Sequence, residues 1–218
     1  MQAVKTKVKP IKITLETEMD YFLKSIEDKV KDLSLKQQVL FAVLTCEKLL
    51  PNYIQFSNQE KWGSVEVLEE AIVMLYQYLQ DIELNDAELD SIYEKIYDVS
   101  PHTEDFKGIL TPFALDACSA IAESVEFLLS EDLSYLMNVV SIARDTVDMF
   151  VLESGDFEVS DEALEIKIEQ NAFMQKEKKR QHDILDKLAG AEIDLPFISA
   201  MRELNNSSGE IIDLALIK

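Results

Sequence analysis

Apolar residues recur along this chain at intervals of three and four, in runs bounded by residues that start and stop helices. The cleanest run is Leu89, Ile92, Tyr93, Ile96 and Tyr97, one face of an amphipathic helix beginning at Asn85 or Asp86. Phe22, Leu23, Ile26 and Val30 mark an earlier helix from about Glu18 to Leu33. Leu68, Ala71, Ile72, Leu75 and Leu79 mark another, which Ser64 caps and which runs to about Asp81. Leu35 to Leu50 is apolar at ten of sixteen positions, Val39 to Leu44 without a break, and a helix apolar all round is a buried one, so this segment is expected at the centre of the core. Pro51 should end or kink it, with Pro51-Asn52-Tyr53 opening a short helical segment to about Lys61.

The second half reads the same way. Thr111 with Pro112 launches a helix whose buried face is Ala114, Cys118, Ile121, Val125 and Leu128, with Asp116, Ser119, Glu123 and Glu126 turned outward. A partner follows Ser130-Glu131-Asp132 with Leu133, Leu136, Val140, Ala143, Val147, Phe150 and Val151, and so short a connection implies an antiparallel hairpin. Gly155 ends it. Ser160-Asp161-Glu162 is expected to cap one long, highly charged helix running to about Ala189, and Asp194 to start a last one with Phe197, Ile198, Met201 and Leu204. All five glycines and all five prolines fall where a helix should start or stop. Since Gly and Pro cost a helix interior about 1 and 3 kcal/mol, helix is expected almost throughout. The longest loop, Ser100 to Thr111, is the best candidate for a boundary should the chain divide into two halves.

Composition narrows the class without naming an activity. A chain of 218 residues with 47% hydrophobic content can build its own core. The longest apolar stretch, Val39 to Leu44, is far below the roughly 20 residues that span a bilayer, and no hydrophobic segment follows the basic start, so a cytoplasmic location is expected with no membrane partner. Cys46 and Cys118 fall in apolar helices without CxxC spacing or a neighbouring histidine, as expected of small core residues in a reducing compartment.

Charge changes the picture more. Lys5, Lys7, Lys9 and Lys12 make residues 1–12 a basic tail, leaving 17 bases against 42 acids in the remainder, a charge of −25. Such a body repels nucleic acid; its electrostatic complement is a basic protein or a cation, and solubility alone is the competing reading of the same charge.

Three groups of residues resemble a known family. These are Phe41 with Cys46-Glu47-Lys48, Pro51-Asn52-Tyr53 and Phe56; Asp116-Ala117-Cys118 with Ala120 and Glu123; and Ser160-Asp161-Glu162 with Leu164, Glu177 and Gln181. Together they resemble the YjaG-like bacterial proteins, domain-of-unknown-function family 416, over about residues 35–190. The resemblance implies an all-α cytoplasmic protein and supplies no activity. It does not extend to the basic first twelve residues or to the apolar C-terminal tail.

Candidate chemistry is sparse. There is no Gly-rich phosphate loop, no Ser-His-Asp order and no HExxH. Of the two histidines, His102 lies in the long loop, and His182 has Lys179 rather than a glutamate three residues before it, which argues against a carboxylate-bridged di-metal bundle. No metal and no cofactor are expected. Glu177 and Gln181, four apart, share a helical face that continues into Ile184, Leu185 and Leu188; they form a polar pocket or a metal-assisting carboxylate site, or else an exposed i,i+4 pair or a structural hydrogen-bond network. Glu47 closes the most apolar helix beside Lys48, where burial would suit an acid or base, but a terminal Glu-Lys pair needs no chemistry. Glu47, Asn52, Tyr53, Glu177 and Gln181 therefore form the candidate polar pocket, with Asp116, Cys118 and Glu123 as secondary candidates. A carboxylate cluster of Asp116, Asp145 and Asp148 is disfavoured because the apolar stripes place all three toward solvent. Tyr76, Tyr78, Tyr93 and Tyr97 are expected to pack together in the core.

The expectation is an all-α, single-domain helical bundle of about seven to nine helices, with a basic tail at 1–12, the helical domain at 13–206 and a docked tail at 207–218. Function is expected to lie in binding another protein, possessed of basic charge, through the acidic surface rather than in catalysis. The alternatives are a ligand- or metal-binding protein or enzyme with a pocket near Glu47 and Glu177, and a homo-oligomer, such as a homodimer, joined through Ile211 to Ile217.

Overall fold

The computed structural model describes residues 16–155 and 163–217, with side chains from Tyr21 onward. Among them stand nine α-helices: α1 (Glu16–Val30), α2 (Leu35–Glu60), α3 (Val65–Leu79), α4 (Asp86–Asp98), α5 (Thr111–Ser130), α6 (Leu133–Ser154), α7 (Leu164–Glu169), α8 (Ala172–Leu188) and α9 (Leu195–Ser207). A single 3₁₀ turn, Leu214–Leu216, follows. The protein is an all-α helical bundle. The basic tail and the Ser160-Asp161-Glu162 cap lie outside the described residues.

α2 is the axis of the bundle. Every residue from Gln37 to Cys46 is buried, because α2 is covered by α5, α3, α6, α8 and α9 around its circumference. The α5–α6 pair is an antiparallel hairpin turned at Glu131, which adopts the left-handed conformation, and Asp132, whose side chain accepts from the Ser134 amide at 2.9 Å. Local caps account for several other helix starts. Asn85 accepts from the Glu88 amide at 3.0 Å and Asp194 from the Phe197 amide at 2.8 Å.

Three expectations need correction. Pro51 does not end α2, which runs on for nine further residues to Glu60. Pro51 itself is exposed, while Asn52, Tyr53 and Phe56 are anchored in the core, so packing outweighs the local cost of about 3 kcal/mol that proline carries. The expected long helix is divided into α7 and α8. Asn171 interrupts it by accepting from the Phe173 amide at 2.9 Å, the local bond through which Asn competes with helix. The four tyrosines do not share a core: Tyr76 is buried, but Tyr97 is 66% exposed. The aromatic cluster that does form joins Tyr53, Phe56, Trp62 and Phe106.

Ile211 and Ile212 are buried, and the backbone beside them is tied down by lysines. Lys48 donates to the Gly209 carbonyl at 2.6 Å, and Lys176 to the Glu210 carbonyl at 2.9 Å.

Candidate functional site

Glu177, Arg180 and Gln181 lie on the face of α8 that meets α2, α6 and α9. Glu177 is 2% exposed and Gln181 fully buried. Such a carboxylate is costly unless it is paired and hydrogen-bonded. Arg180, one turn along α8, grips it with both arms of its fork: Nε donates to Oε2 at 2.7 Å and Nη2 to Oε1 at 2.6 Å. Gln181 Nε2 donates to Glu177 Oε1 at 2.8 Å. Two of the three remaining guanidinium protons point at Thr45 Oγ1 and Asn205 Oδ1, both at 3.4 Å, and Asn205 in turn donates to the Leu44 carbonyl at 2.8 Å. The assembly joins α8, α2 and α9 through an ion pair within the core, with Gln181 Oε1 left without a partner.

Lys48 belongs to the same region. Burial pushes its ammonium down to about 8, the neighbouring cations Arg180 and Lys176 push the same way, and Glu177 and Glu47 oppose them.

Glu47 is held in a second arrangement. Arg202 of α9 donates to its Oε1 from Nε at 2.9 Å and from Nη2 at 2.6 Å, and the guanidinium carbon sits 4.3 Å from the centre of the Tyr76 ring. Glu47 Oε2 and the Tyr76 hydroxyl are both buried without a partner at hydrogen-bonding distance. Burial and then the Glu47 charge push the Tyr76 phenol upward.

Of the five pocket candidates, then, Glu177 and Gln181 touch. Asn52 is buried with its Nδ2 unpartnered. Tyr53 faces the other way: its hydroxyl donates to the Val99 carbonyl at 2.8 Å and accepts from the Ser64 amide at 3.1 Å, fastening the start of α3 to the end of α4. Arg180, Arg202, Asn205 and Thr45 are not singled out by the sequence, and Lys48 is marked there only as the neighbour of Glu47. Arg180 alone left a local signal, as the base three residues after Glu177.

The secondary candidates on α5 occupy three environments. Cys118 is buried, and burial pushes its thiol up to about 12, as it does that of Cys46, so neither thiol is poised as a nucleophile. Glu123 accepts from Asn138 Nδ2 of α6 at 2.8 Å. Asp116 does not point to open solvent as the α5 pattern implied. It is half-buried in the α5–α6 seam and accepts from Thr146 Oγ1 at 2.7 Å. Burial first, and then the charge of Asp145, push its carboxyl up from 3.8 to about 6 against the Thr146 bond. A carboxyl raised in the fold stabilises while protonated, so this contribution is complete below about pH 3.8 and is lost as pH rises through 6. Asp116→Asn should therefore remove the stability loss between pH 4 and 6 and raise the unfolding free energy at pH 7 by about 1–2 kcal/mol, with the partial exposure of the site allowed for. Urea denaturation at several pH values checks this.

A further ion pair, buried like that of Glu177 and Arg180, pins α7 and α8 to α6. Arg144 Nη2 donates to Glu169 Oε1 at 2.8 Å, and Lys178 bonds the other carboxylate oxygen. Burial pushes the Glu169 carboxyl up, but these two cations outweigh it and hold it below its ordinary range. His182 packs edge-on against Phe22, and its Nε2 lies 3.3 Å from Ser25 Oγ. Among the described residues, no three His, Cys, Asp or Glu side chains converge as a metal site would require, and no helix is long and apolar enough to cross a membrane.

The fold and its buried ion pairs define an all-helical protein whose interior polar groups mainly lock helices to one another. The family model described as "Protein of unknown function (DUF416)" matches residues 25–211, and the chain belongs to that family. It is 30% identical to the "Uncharacterized protein YjaG" of Escherichia coli K12 over 80% of this chain and 87% of that protein. An uncharacterized protein of Haemophilus influenzae is 22% identical over 84% of this chain and 93% of its own length. The crystal structure of a DUF416 family protein from Shewanella baltica OS155 superposes with a TM-score of 0.77 at 27% identity, covering 85% of this chain and 95% of that one.

Proposed function

We propose that this is a cytoplasmic, non-enzymatic protein that works by binding a basic protein partner on its acidic helical surface. The observation that carries this reading is the distribution of charge. Four of the five lysine and arginine side chains of α8 are engaged within the chain, Arg180 on Glu177, Lys178 on Glu169, Lys179 on Asp183 and Lys176 on the Glu210 carbonyl, and Lys187 is exposed. By contrast, residues 81–98 carry seven acids and one base. All eight are exposed, and that base, Lys95, is bridged to Glu70 at 3.2 Å. Glu83, Asp86, Asp90, Glu94 and Asp98 pair with no base among the described residues. A concentration of unneutralised carboxylates raises the local density of cationic partners and speeds their encounter, an effect that salt screens.

Native mass spectrometry of the protein purified gently at low salt from its host cells tests this. A second protein subunit is expected, released by raising salt and absent from the triple variant Glu83→Gln, Asp90→Asn, Glu94→Gln. A bound mass of tens to hundreds of daltons in its place would overturn the reading in favour of a pocket. A bare multiple of the chain mass would overturn it in favour of a homo-oligomer.

A further inference from the structure

Resting on that reading, we propose that the groove between α3 and α4 is the docking site, and that its occupant is a basic amphipathic helix of the partner protein. The groove has a volume of about 510 Å³. One wall is α3, with Glu70, Val73, Met74 and Gln77 at helical spacing; the other is α4, with Ala87, Ser91 and Lys95. Leu84 lies at the α3–α4 turn and the Lys95–Glu70 bridge at the opposite end. From Leu84 to Lys95 a helix rises about 16 Å, room for three turns of a helical segment laid alongside.

The surfaces match that kind of occupant. Ile92 is buried in the floor, Met74 and Leu84 are partly exposed, and Val73 is 52% exposed, so an apolar strip lies open where α3 and α4 splay. Ile82, 47% exposed, extends the apolar surface at the turn. Around the strip stand exposed acids on both helices, among them Glu69 on α3 and Glu88 on α4. No lining side chain is a buried polar group lacking a partner, so nothing in the groove calls for the polar head of a small ligand. A strip of this length between acidic rims is the arrangement that receives a helix through apolar residues at i, i+3, i+4 and i+7. Its charge selects the partner. A second copy would bring the same acidic rims against these, and nucleic acid would bring phosphates.

The test uses the full chain and two fluorescent 18-residue peptides of identical leucine and lysine content, read by anisotropy. One carries leucine at i, i+3, i+4 and i+7; in the other the order is scrambled. The receptor variants are Val73→Asp and Ala87→Asp, both at exposed positions, with thermal melts confirming their fold. Each adds negative charge while removing apolar surface, so charge and groove contact push in opposite directions. The patterned peptide should bind at least 10-fold more tightly than the scrambled one, and each variant should weaken it about 10-fold while leaving the scrambled peptide unchanged or tighter. Equal, salt-sensitive binding of both peptides, indifferent to Val73→Asp, would overturn the groove and leave the acidic-surface reading standing. No binding of either peptide at low salt would overturn both. A dimer detected by light scattering and abolished by Val73→Asp would make the occupant a second copy and overturn the assignment of a basic partner.

Discussion

Replacing Arg180 with methionine should lower the unfolding free energy by about 3–5 kcal/mol, because it leaves the Glu177 carboxylate buried without its counter-charge. The size follows from the geometry. Glu177 is 2% exposed, and both of its oxygens are taken by Arg180 at 2.6 and 2.7 Å; only Gln181 Nε2 would remain within 2.8 Å. Water cannot replace the lost bonds without opening the contact between α8 and α2. Urea denaturation of the wild type, Arg180→Met, and the double variant Glu177→Met with Arg180→Met separates the cost of an orphaned charge from the worth of the pair. The single variant should show the full loss, and the double variant should recover most of it, since a buried ion pair gains little over well-packed apolar side chains. A single variant within about 1 kcal/mol of wild type would mean that the pair is solvated and the interior is not dry there.

That pair also marks where sequence reading stops. Glu177 and Gln181 could be placed on one face, at least partly buried, because four-residue spacing and the following Ile184, Leu185 and Leu188 are local facts. The bond between them is likewise local. The rest of the arrangement is not. Thr45, Arg180 and Asn205 are separated by 135 residues in one contact and 25 in the other, and no periodicity links them. Arg180 was further concealed in a run of bases that reads as a solvated face, though packing turns this one residue inward. Arg202 reaches Glu47 across 155 residues and left no local trace. The same distinction holds for the fold. Asn85, Asp132 and Asp194 announce their helices by side chains that bond amides two or three residues on. Pro51 misled because its local cost is overridden by Tyr53 and Phe56 in the core. Asp116 misled because α5 is covered on more than one side, so its polar stripe falls partly in the seam with α6 rather than in water.

Gly63→Ala should cost about 2–5 kcal/mol, and the reason is a hydroxyl rather than the backbone alone. Gly63 has φ +80°, a conformation that costs an L-residue about 1–2 kcal/mol. A Cβ there would lie 2.1 Å from the Tyr53 hydroxyl oxygen and 3.1 Å from the ring carbon that carries it, and overpacking adds about 1–3 kcal/mol. The hydroxyl has little freedom to retreat, since it donates to the Val99 carbonyl and accepts from the Ser64 amide. Through these bonds it sets both the entry of α3 and the exit of α4, the two helices that carry the acidic groove. Tyr53→Phe alone should cost about 1–2 kcal/mol, for the two lost bonds. In the double variant the atom nearest the new methyl is gone, so the combined loss should fall short of the sum by at least about 1 kcal/mol. Strictly additive losses would show that the strain at Gly63 is purely conformational. Hydrogen exchange at the Ser64 amide supplies an independent readout. Protection should drop in Gly63→Ala and in Tyr53→Phe alike, because each removes the same acceptor from that amide, one by displacing the hydroxyl and the other by deleting it.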